Sequence, residues 1–449
     1  MDLRSIKPTW INSVEKTSHT EDLLLRIGKL PIYGLQFVGY LPLSVVQVPV
    51  ITGNGIKHAP SKISLQSLKF RWTGISFLSQ VSLFIFCTVF LIYFSIVHPH
   101  GSFDDITPLT SDSIIITILS TTCVTNCIAN RIHALLNVRQ TLKFWRFQCN
   151  QVEKIANLWN VPELVEDLRK KNRNIFFQFT FLLIIPLVCL TAVDVIFNAL
   201  WGVENQQKNS IKLINIVIIL AGGTFWVYLA YTNVLLNNWL TFFVRIYITV
   251  LTGILREVEK YCATTKLFIN ACTDSTFSLT HASDAYDILI KLVDSFNDTF
   301  GIRILIEVGV YIVWILGCTY FAMVSMKVRQ FGSCTTNIAA SILAMYSLYN
   351  YGNHGEILSQ KRVLLIKKLS QVRTRNLRKM ECKEVKSFIQ KVQNCDLNIT
   401  AGHFFVLHRT FVLSILSVLM TLLIVMAQFR NQDETNKYGI LNIANCSCQ

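Results

Sequence analysis

The sequence predicts an all-α membrane protein with seven transmembrane helices, a cytoplasmic N-terminus, an extracellular C-terminus and long cytoplasmic helical extensions. Of the 449 residues, 52% are hydrophobic and only 15% are charged, against about 25% charged in soluble domains. Seven apolar stretches are long enough for a bilayer, which takes about 20 helical residues to cross. Basic residues gather on one side of these stretches, as they do beside membrane helices. These observations exclude a water-soluble globule and a disordered chain.

The N-terminal segment, residues 1–74, is predicted to stay in the cytoplasm. Its beginning mixes lysine with acidic residues and has no early apolar core, unlike a signal peptide. Residues 30–51 are apolar, but Pro31, Pro42 and Pro49 would remove backbone hydrogen bonds from a straight helix. We therefore expect an interfacial or re-entrant helix there instead of a span.

Seven helical spans follow, because only a helix satisfies its own backbone groups within lipid. The second and sixth are the most polar, since Thr121, Asn126 and Asn337 interrupt them. Polar side chains in a span usually face a protein interior, so these two spans are expected to face other helices. The predicted spans cover residues 75–97, 113–130, 175–201, 213–236, 304–326, 336–351 and 407–429.

The distribution of basic residues orients the chain in the membrane. With a cytoplasmic N-terminus and seven crossings, the inner segments carry 36 of the 42 lysines and arginines. This asymmetry obeys the positive-inside rule and places the C-terminus outside. A G-protein-coupled receptor needs the opposite orientation, and a transporter fits poorly because the spans are odd in number and show no internal repeat. The six outer basic residues are Lys208, Lys212, Lys327, Arg329, Arg430 and Lys437.

The sequence carries no motif of an enzyme or of a bound cofactor. It has no glycine-rich phosphate loop, and its 13 cysteines and nine histidines form no metal-ligand pattern. We predict no catalytic residues, no metal and no cofactor. The net charge of +15 lies in loops between apolar stretches, which favours membrane lipid over nucleic acid as a partner. Of three glycosylation sequons, only Asn445 lies on a predicted outer segment, the extracellular tail of residues 430–449.

Two helical patterns continue into the cytoplasm, over residues 241–261 and 356–393, without an interrupting proline. In the second stretch apolar residues recur at the spacing of an amphipathic helix. Such a face either packs on a neighbouring helix of the same chain or serves as an anchor between subunits, and both are compatible with the pattern. We assign residues 352–406 to cytoplasmic anchor helices. The apolar positions are Val385, Phe388, Ile389 and Val392.

The last span, residues 407–429, carries a semi-polar stripe. Its members recur three or four residues apart and so share one face of an otherwise aliphatic helix. Small hydroxyl residues often serve close helix packing in membranes. Alternatively, the stripe lines a pore where several copies meet, with Val425 as an apolar constriction and Gln428 as a polar ring at the outer mouth. The stripe consists of Ser414, Ser417, Thr421, Val425 and Gln428.

At this span the chain resembles the insect gustatory receptor family, whose last helix carries Thr-Tyr, five apolar residues and Gln-Phe. Thr421, residues 423–427, Gln428 and Phe429 match that motif, with Leu422 in place of tyrosine. The preceding Ala-Gly-His-Phe-Phe run and an Arg-Thr pair also resemble the family. Three further segments look most like its sugar-sensing branch: residues 67–72, 191–197 and 225–226.

The resemblance implies a fold shared with insect odorant receptors and a tetrameric, tastant-gated, non-selective cation channel. In such a channel residues 407–429 line the pore, with Thr421, Val425 and Gln428 facing it, and residues 75–351 form the ligand-binding domain. The expected assembly is a homotetramer or a heteromer with related receptors in the plasma membrane of gustatory sensory neurons. A sugar is the favoured tastant, and a bitter or other small molecule is the alternative, because Leu423 stands where the sugar branch usually has an acidic residue.

A sugar pocket needs aromatic plates and a few directed polar groups. Asp194 and Asn198 are four residues apart on span three, hence on one face. An ionisable residue within a span indicates a functional site, although a hydrogen bond between two helices is the alternative for Asp194. The aromatic candidates, each also compatible with core packing, are Trp226, Trp314 and Tyr320. Glu307, near the inner end of span five, is expected to pair with Arg303.

Overall fold

The computed structural model describes most of the chain and is predominantly helical. Of the predicted spans, the first and third lie outside the described residues apart from short helical pieces. The description covers residues 19–37, 40–49, 64–70, 111–158, 213–267, 273–327, 331–372 and 379–446, with single residues or short runs within 74–89 and 170–192.

The N-terminal segment forms two short helices and a β-hairpin. Helices α1 (His19–Ile27) and α2 (Lys29–Phe37) precede strand β1 (Leu43–Pro49), which pairs antiparallel with β2 (Ser64–Phe70). The sequence prediction of one interfacial or re-entrant helix is therefore wrong in its second half.

The residues of this segment explain why its second half forms a strand instead of a helix. Helix α2 ends at Phe37, and Pro42 disfavours a helical conformation in the residue before it, next to β1. The strand that follows is rich in β-branched valine, which packs well on a pleated surface.

Acidic residues at the start of α1 hold the hairpin against the rest of the protein. Glu21 Oε1 accepts hydrogen bonds from Ser67 Oγ at 3.0 Å and from Trp145 Nε1 at 3.3 Å. Asp22 Oδ1 accepts the backbone N–H of Gln66 at 3.0 Å. These bonds tie α1 to β2 and to the helix that carries Trp145.

Long helices form the body of the protein. The predicted extension over residues 241–261 is confirmed, because one helix runs unbroken from the fourth span through it. The helix that contains the fifth predicted span begins about thirty residues before that span, so it is extended as well. These helices are α3 (Ser111–Leu136), α4 (Val138–Leu158), α5 (Leu213–Leu267), α6 (Thr273–Lys327) and α7 (Phe331–Ser370).

An aromatic cluster joins α4, α5 and α6. Phe144 meets Phe243 and Phe300 edge to face, with ring centroids 5.0 and 4.9 Å apart. Trp145 stacks on Trp239 at 5.9 Å. Aromatic pairs in this distance range contribute beyond the area that they bury, so the cluster fixes these three helices relative to one another.

The predicted uninterrupted helix over residues 356–393 is wrong. Helix α7 ends at Ser370 with a turn after it, and a separate helix, α8, spans Lys379–Asn394. The apolar face of α8 is buried within its own subunit, where Phe388 meets Tyr286 edge to face at 5.9 Å. Lys391 forms an ion pair of 2.7 Å with Asp287 beside it. The neighbour-helix alternative is thus confirmed, while a shared anchor between subunits stays a prediction.

A tight hairpin leads into the last helix, α9 (Arg409–Cys446). Its strands are β3 (Thr400–Ala401) and β4 (Phe405–Val406), and Gly402 adopts a positive φ of 59° in the turn, which favours glycine. Helix α9 continues past residue 429, so the predicted tail begins as helix. Among the described residues, three segments are long and apolar enough to cross a bilayer: Tyr231–Ala263, Leu279–Lys327 and Arg409–Gln432.

Candidate functional site

Helix α9 lies at the edge of the subunit and buries only one narrow face. In its apolar window 22% of the residues are buried, against 89% and 56% in the other two candidate spans. The buried face comprises Val412, Ile415, Leu419 and Leu423. Most other residues of this apolar helix are exposed or only half-buried.

The semi-polar stripe lies opposite the buried face. Thr421 is two residues from both Leu419 and Leu423, which at about 100° per residue places it on the other side of the helix. All five stripe residues are exposed, with Val425 at 38%. The sequence-predicted pore residues Thr421, Val425 and Gln428 therefore share one outward face, and the stripe does not serve packing within its own subunit.

Two of the three stripe hydroxyls donate to backbone carbonyls of their own helix. Ser414 Oγ donates to the Thr410 carbonyl at 3.1 Å, and Thr421 Oγ1 donates to the Ser417 carbonyl at 3.2 Å. Such bonds occupy the hydroxyl hydrogen but leave oxygen lone pairs exposed. The face can therefore meet water, an ion or another helix without breaking a bond.

Helix α7 packs closely on the beginning of α9. A Cβ atom at Gly352 would lie 2.9 Å from the His408 carbonyl oxygen, and one at Gly355 would overlap the Leu407 carbonyl oxygen. Arg409 Nη2 donates to Asn353 Oδ1 at 2.6 Å across the same contact. Helix α7 and the base of α9 are therefore in direct backbone contact at this point.

A buried polar network connects α7 to α5 on the cytoplasmic side of the predicted sixth span. Asn350 Nδ2 donates to Asn237 Oδ1 at 2.7 Å, and Arg245 Nε donates to His354 Nε2 at 3.2 Å. His354 Nδ1 lies 2.7 Å from the Asn350 carbonyl, so Nδ1 carries the proton and Nε2 accepts. Burial, and then the Arg245 charge, lower the pKa of His354 to about 4, so the imidazole is neutral at cytoplasmic pH.

Several of the predicted site residues cannot be located. Asp194 and Asn198 lie outside the described residues. Trp226 and Asn445 lie on helical backbone in α5 and α9, but their side chains also fall outside the description. Their roles stay predictions.

The two described aromatic candidates are buried. Trp314 is 5% exposed and Tyr320 is 1% exposed, both on α6. Tyr320 meets Phe321 edge to face at 5.4 Å. Both side chains pack in the protein interior, which is the packing alternative that the sequence left open.

A buried polar cluster between α3 and α6 is missing from the sequence predictions. Glu307 Oε1 accepts the side-chain amides of Asn130 at 2.7 Å and Asn126 at 3.3 Å. Glu307 and Arg303 interact electrostatically, as expected. They form no direct hydrogen bond, since Glu307 Oε2 and the Nε and Nη2 atoms of Arg303 have no hydrogen-bond partner among the described residues. The sequence does carry a signal for this cluster. The helical spacing of Asn126, Asn130 and Arg131 gives the inner end of span two a polar face.

Comparisons with known proteins agree with this architecture. The family model described as 7tm chemosensory receptor matches residues 32–433. The solved insect olfactory receptor OR5 from Machilis hrabei in complex with eugenol is 13% identical, with a TM-score of 0.59, covering 91% of this chain and 98% of that one. A second structure of the same receptor is 11% identical, with a TM-score of 0.56, covering 89% of this chain and 97% of that one. No curated protein is similar enough in sequence to match. The likeness confirms the predicted fold class, an all-α seven-helix membrane protein.

Proposed function

Because the chain belongs to the 7tm chemosensory receptor family, we propose that it is a gustatory receptor that acts as a tastant-gated, non-selective cation channel. The observation that carries the proposal is the outward, semi-polar face of α9. Such a multi-pass receptor would reside in the plasma membrane of gustatory sensory neurons. Neither its family nor its described residues suggest an enzyme.

The pore forms where α9 helices of several subunits meet. Four copies, in a homotetramer or a heteromer with related receptors, would bring the stripes together around one axis. Exposed Val425 would then form an apolar ring that closes the pore by dewetting, and Gln428 would form a polar ring above it. The alternative is that the stripe faces lipid. It is disfavoured because it exposes three hydroxyl side chains to hydrocarbon, which solvates aliphatic side chains better.

Ligand binding opens this pore through helix α7. A ligand shifts the gate only by its preference for the open state, and each tenfold preference contributes about 1.4 kcal/mol per site. The close contacts of Gly352 and Gly355 with the base of α9 support α7 as the element that carries the movement. The polar network around His354 would make α5 and α7 move together.

The proposed ligand is a sugar in the outward halves of the first six spans. Asp194 and Asn198 would contact its hydroxyls, and Trp226 would contact its ring face, while buried Trp314 and Tyr320 support the pocket from behind. A bitter or other small molecule is the second candidate. It is favoured by Leu423, which is 7% exposed and apolar where the sugar branch usually has an acidic residue.

Substitution of Val425 by Ala or Ser tests the pore. We expect a larger resting current in both variants, because a smaller or more polar ring is wetted more easily, and a changed ion preference in Gln428→Ala. Met420→Ala is the matched control, since Met420 is exposed on α9 but off the stripe. Unchanged resting current and ion preference in the Val425 and Gln428 variants would contradict the pore.

Substitution of Asp194 by Ala tests the pocket. We expect the sugar response to disappear while surface expression remains, because a directed carboxylate is lost from the site. The measurement is current recorded against a panel of sugars and bitter compounds. A normal sugar dose response would remove Asp194 from the site without affecting the pore proposal.

A further inference from the structure

A histidine and a glutamate face each other where α7 meets the base of α9. His408 Nδ1 lies 3.5 Å from Glu356 Oε2. This nitrogen is buried and has no hydrogen-bond partner among the described residues. The other carboxylate oxygen is engaged, because Gln360 Nε2 donates to Glu356 Oε1 at 2.9 Å. The imidazole is thus directed at a carboxylate oxygen to which it is not hydrogen-bonded in this arrangement.

The pair lies in the contact that connects α7 to α9. His408 directly precedes α9, and Glu356 is four residues after Gly352, the glycine that α7 places against the His408 carbonyl. Glu356 follows the predicted end of span six by five residues, so the pair is on the cytoplasmic side. Beside it Arg409 Nη2 donates to Asn353 Oδ1 at 2.6 Å, a bond between groups that do not titrate near neutral pH. The contact therefore contains one bond that protons cannot change and one that they can form.

The charged groups in the neighbouring elements have partners of their own. On α7, His354 accepts a hydrogen bond from a buried arginine of α5 at 3.2 Å. On α6, Asp298 lies 3.6 Å from His403 in the turn between β3 and β4. Glu356 is therefore the carboxylate that faces His408.

Burial distinguishes this pair from the similar one at the hairpin. The side chains of His408 and Glu356 are 29% and 25% exposed, whereas those of His403 and Asp298 are 68% and 72% exposed. Water and salt screen the exposed pair strongly, so it contributes little. The pair at the base of α9 is screened less, and its attraction depends more on the charge of the imidazole.

Protonation changes what this contact can do. Histidine is the side chain that ordinarily changes its charge between pH 5 and 8. In the charged form both ring nitrogens carry hydrogen, so Nδ1–H can donate to Glu356 Oε2 and the opposite charges attract. In the neutral form no charge attraction holds His408 to α7.

We propose that His408 is a binding site for a cytoplasmic proton, which fastens the base of α9 to α7 by closing the gap between His408 Nδ1 and Glu356 Oε2. The proton-dependent contact stands on the geometry of the pair. Its effect on current rests on the proposed function, since α7 is the element proposed to carry the gating movement to α9. Cytoplasmic pH then changes how readily the pore opens.

A double-mutant cycle on the purified full-length receptor tests the contact. Unfolding midpoints are measured at about pH 6 and about pH 8 for the wild type, Glu356→Gln, His408→Gln and the double variant. Glu356→Gln should lower the midpoint more at the lower pH, because it removes a counter-charge that matters only while the imidazole is protonated. In the His408→Gln background its effect should be the same at both values, and the titration of His354 cancels because all four proteins contain it.

The hairpin pair provides the matched control. The same cycle with Asp298→Asn and His403→Gln should show little coupling at either pH, since both side chains are exposed. A Glu356→Gln loss that is equal at the two pH values in the presence of His408 would overturn the proton site.

Currents recorded from inside-out patches test the effect on the pore. When the cytoplasmic face is changed from about pH 8 to about pH 6, the resting current should change about fivefold or more, the lower range of coupling between two sites. The change should be lost in His408→Gln and in Glu356→Gln and kept in His403→Gln. A receptor without any current would contradict the proposed function and leave the cycle as the test of the site. A conducting receptor whose pH response is absent, or survives in both variants, would overturn proton control of the pore.

A further measurement decides the matter if the variants do not fold. Electron cryo-microscopy maps of the wild-type receptor at the two pH values should show His408 Nδ1 and Glu356 Oε2 within hydrogen-bond distance, about 3.2 Å or less, at the lower pH and farther apart at the higher one. The same separation in both maps would refute the site.

Discussion

Substitution of Gly355 by Ala should loosen the base of the last helix. The new Cβ atom would overlap the Leu407 carbonyl oxygen, which is backbone and cannot rotate away. Overpacking of this kind costs about 1–3 kcal/mol, while the greater helix propensity of alanine returns up to about 1 kcal/mol. The net result is a modest loss of stability together with a displaced α9.

Gly309 provides the matched control for this substitution. It is also a helical glycine, on α6, but nothing lies within 4 Å of its built Cβ. Gly309→Ala therefore gains the same helix propensity without the clash. The difference in unfolding free energy between the two variants should be about 1–3 kcal/mol, since the propensity term cancels.

The assay combines unfolding midpoints of both purified variants with their resting and ligand-evoked currents. Gly355→Ala should unfold earlier and show altered gating, and Gly309→Ala should equal or exceed the wild type in stability with normal currents. Equal stability and equal currents in the two variants would refute the conclusion that α7 and α9 are in close contact at Gly355.

Two further predictions concern the buried polar groups. The pKa of His354 falls from an ordinary value of about 6.5 to about 4 on folding, so its contribution to stability is complete above pH 6.5 and is lost as the pH falls towards 4. His354→Gln should therefore reduce the pH dependence of the unfolding midpoint between pH 7 and 5. An unchanged pH dependence would contradict this. Asn130→Ala removes a 2.7 Å hydrogen bond to buried Glu307 and should cost about 1.5–3 kcal/mol in unfolding free energy; exposed Thr125→Ala on the same helix should cost little, and similar losses in both variants would contradict the assigned contact.

Features set by local periodicity could be predicted from the sequence. The extension of α5 through residues 241–261 followed from an unbroken helical pattern without proline, and the structure has it. The stripe from Ser414 to Gln428 followed from spacings of three and four residues. Which side of α9 is buried could not be predicted, because it depends on Leu419 and Leu423 meeting the subunit core.

Features set by distant contacts were missed or wrong. Strand β1 was assigned to an interfacial or re-entrant helix, because its partner β2 begins only after a connection of 14 residues, and a pairing over that distance leaves no local periodicity. For Glu307 only its helical neighbour Arg303 was expected as a partner, whereas its hydrogen-bond partner Asn126 is 181 residues away in the chain. Periodicity carries no information at that separation.

Cysteine accessibility along α9 is the decisive test of a pore lined by the stripe. Single substitutions Ser417→Cys, Thr421→Cys and Gln428→Cys are expressed and treated from outside with a charged thiol reagent while current is recorded, with Met420→Cys as the off-stripe comparison. Modification of the stripe cysteines should block current, for Gln428 in every state and for the deeper positions mainly when agonist is present. Current that survives modification at all stripe positions, or a Met420→Cys variant that is blocked just as readily, would contradict a pore lined by the stripe.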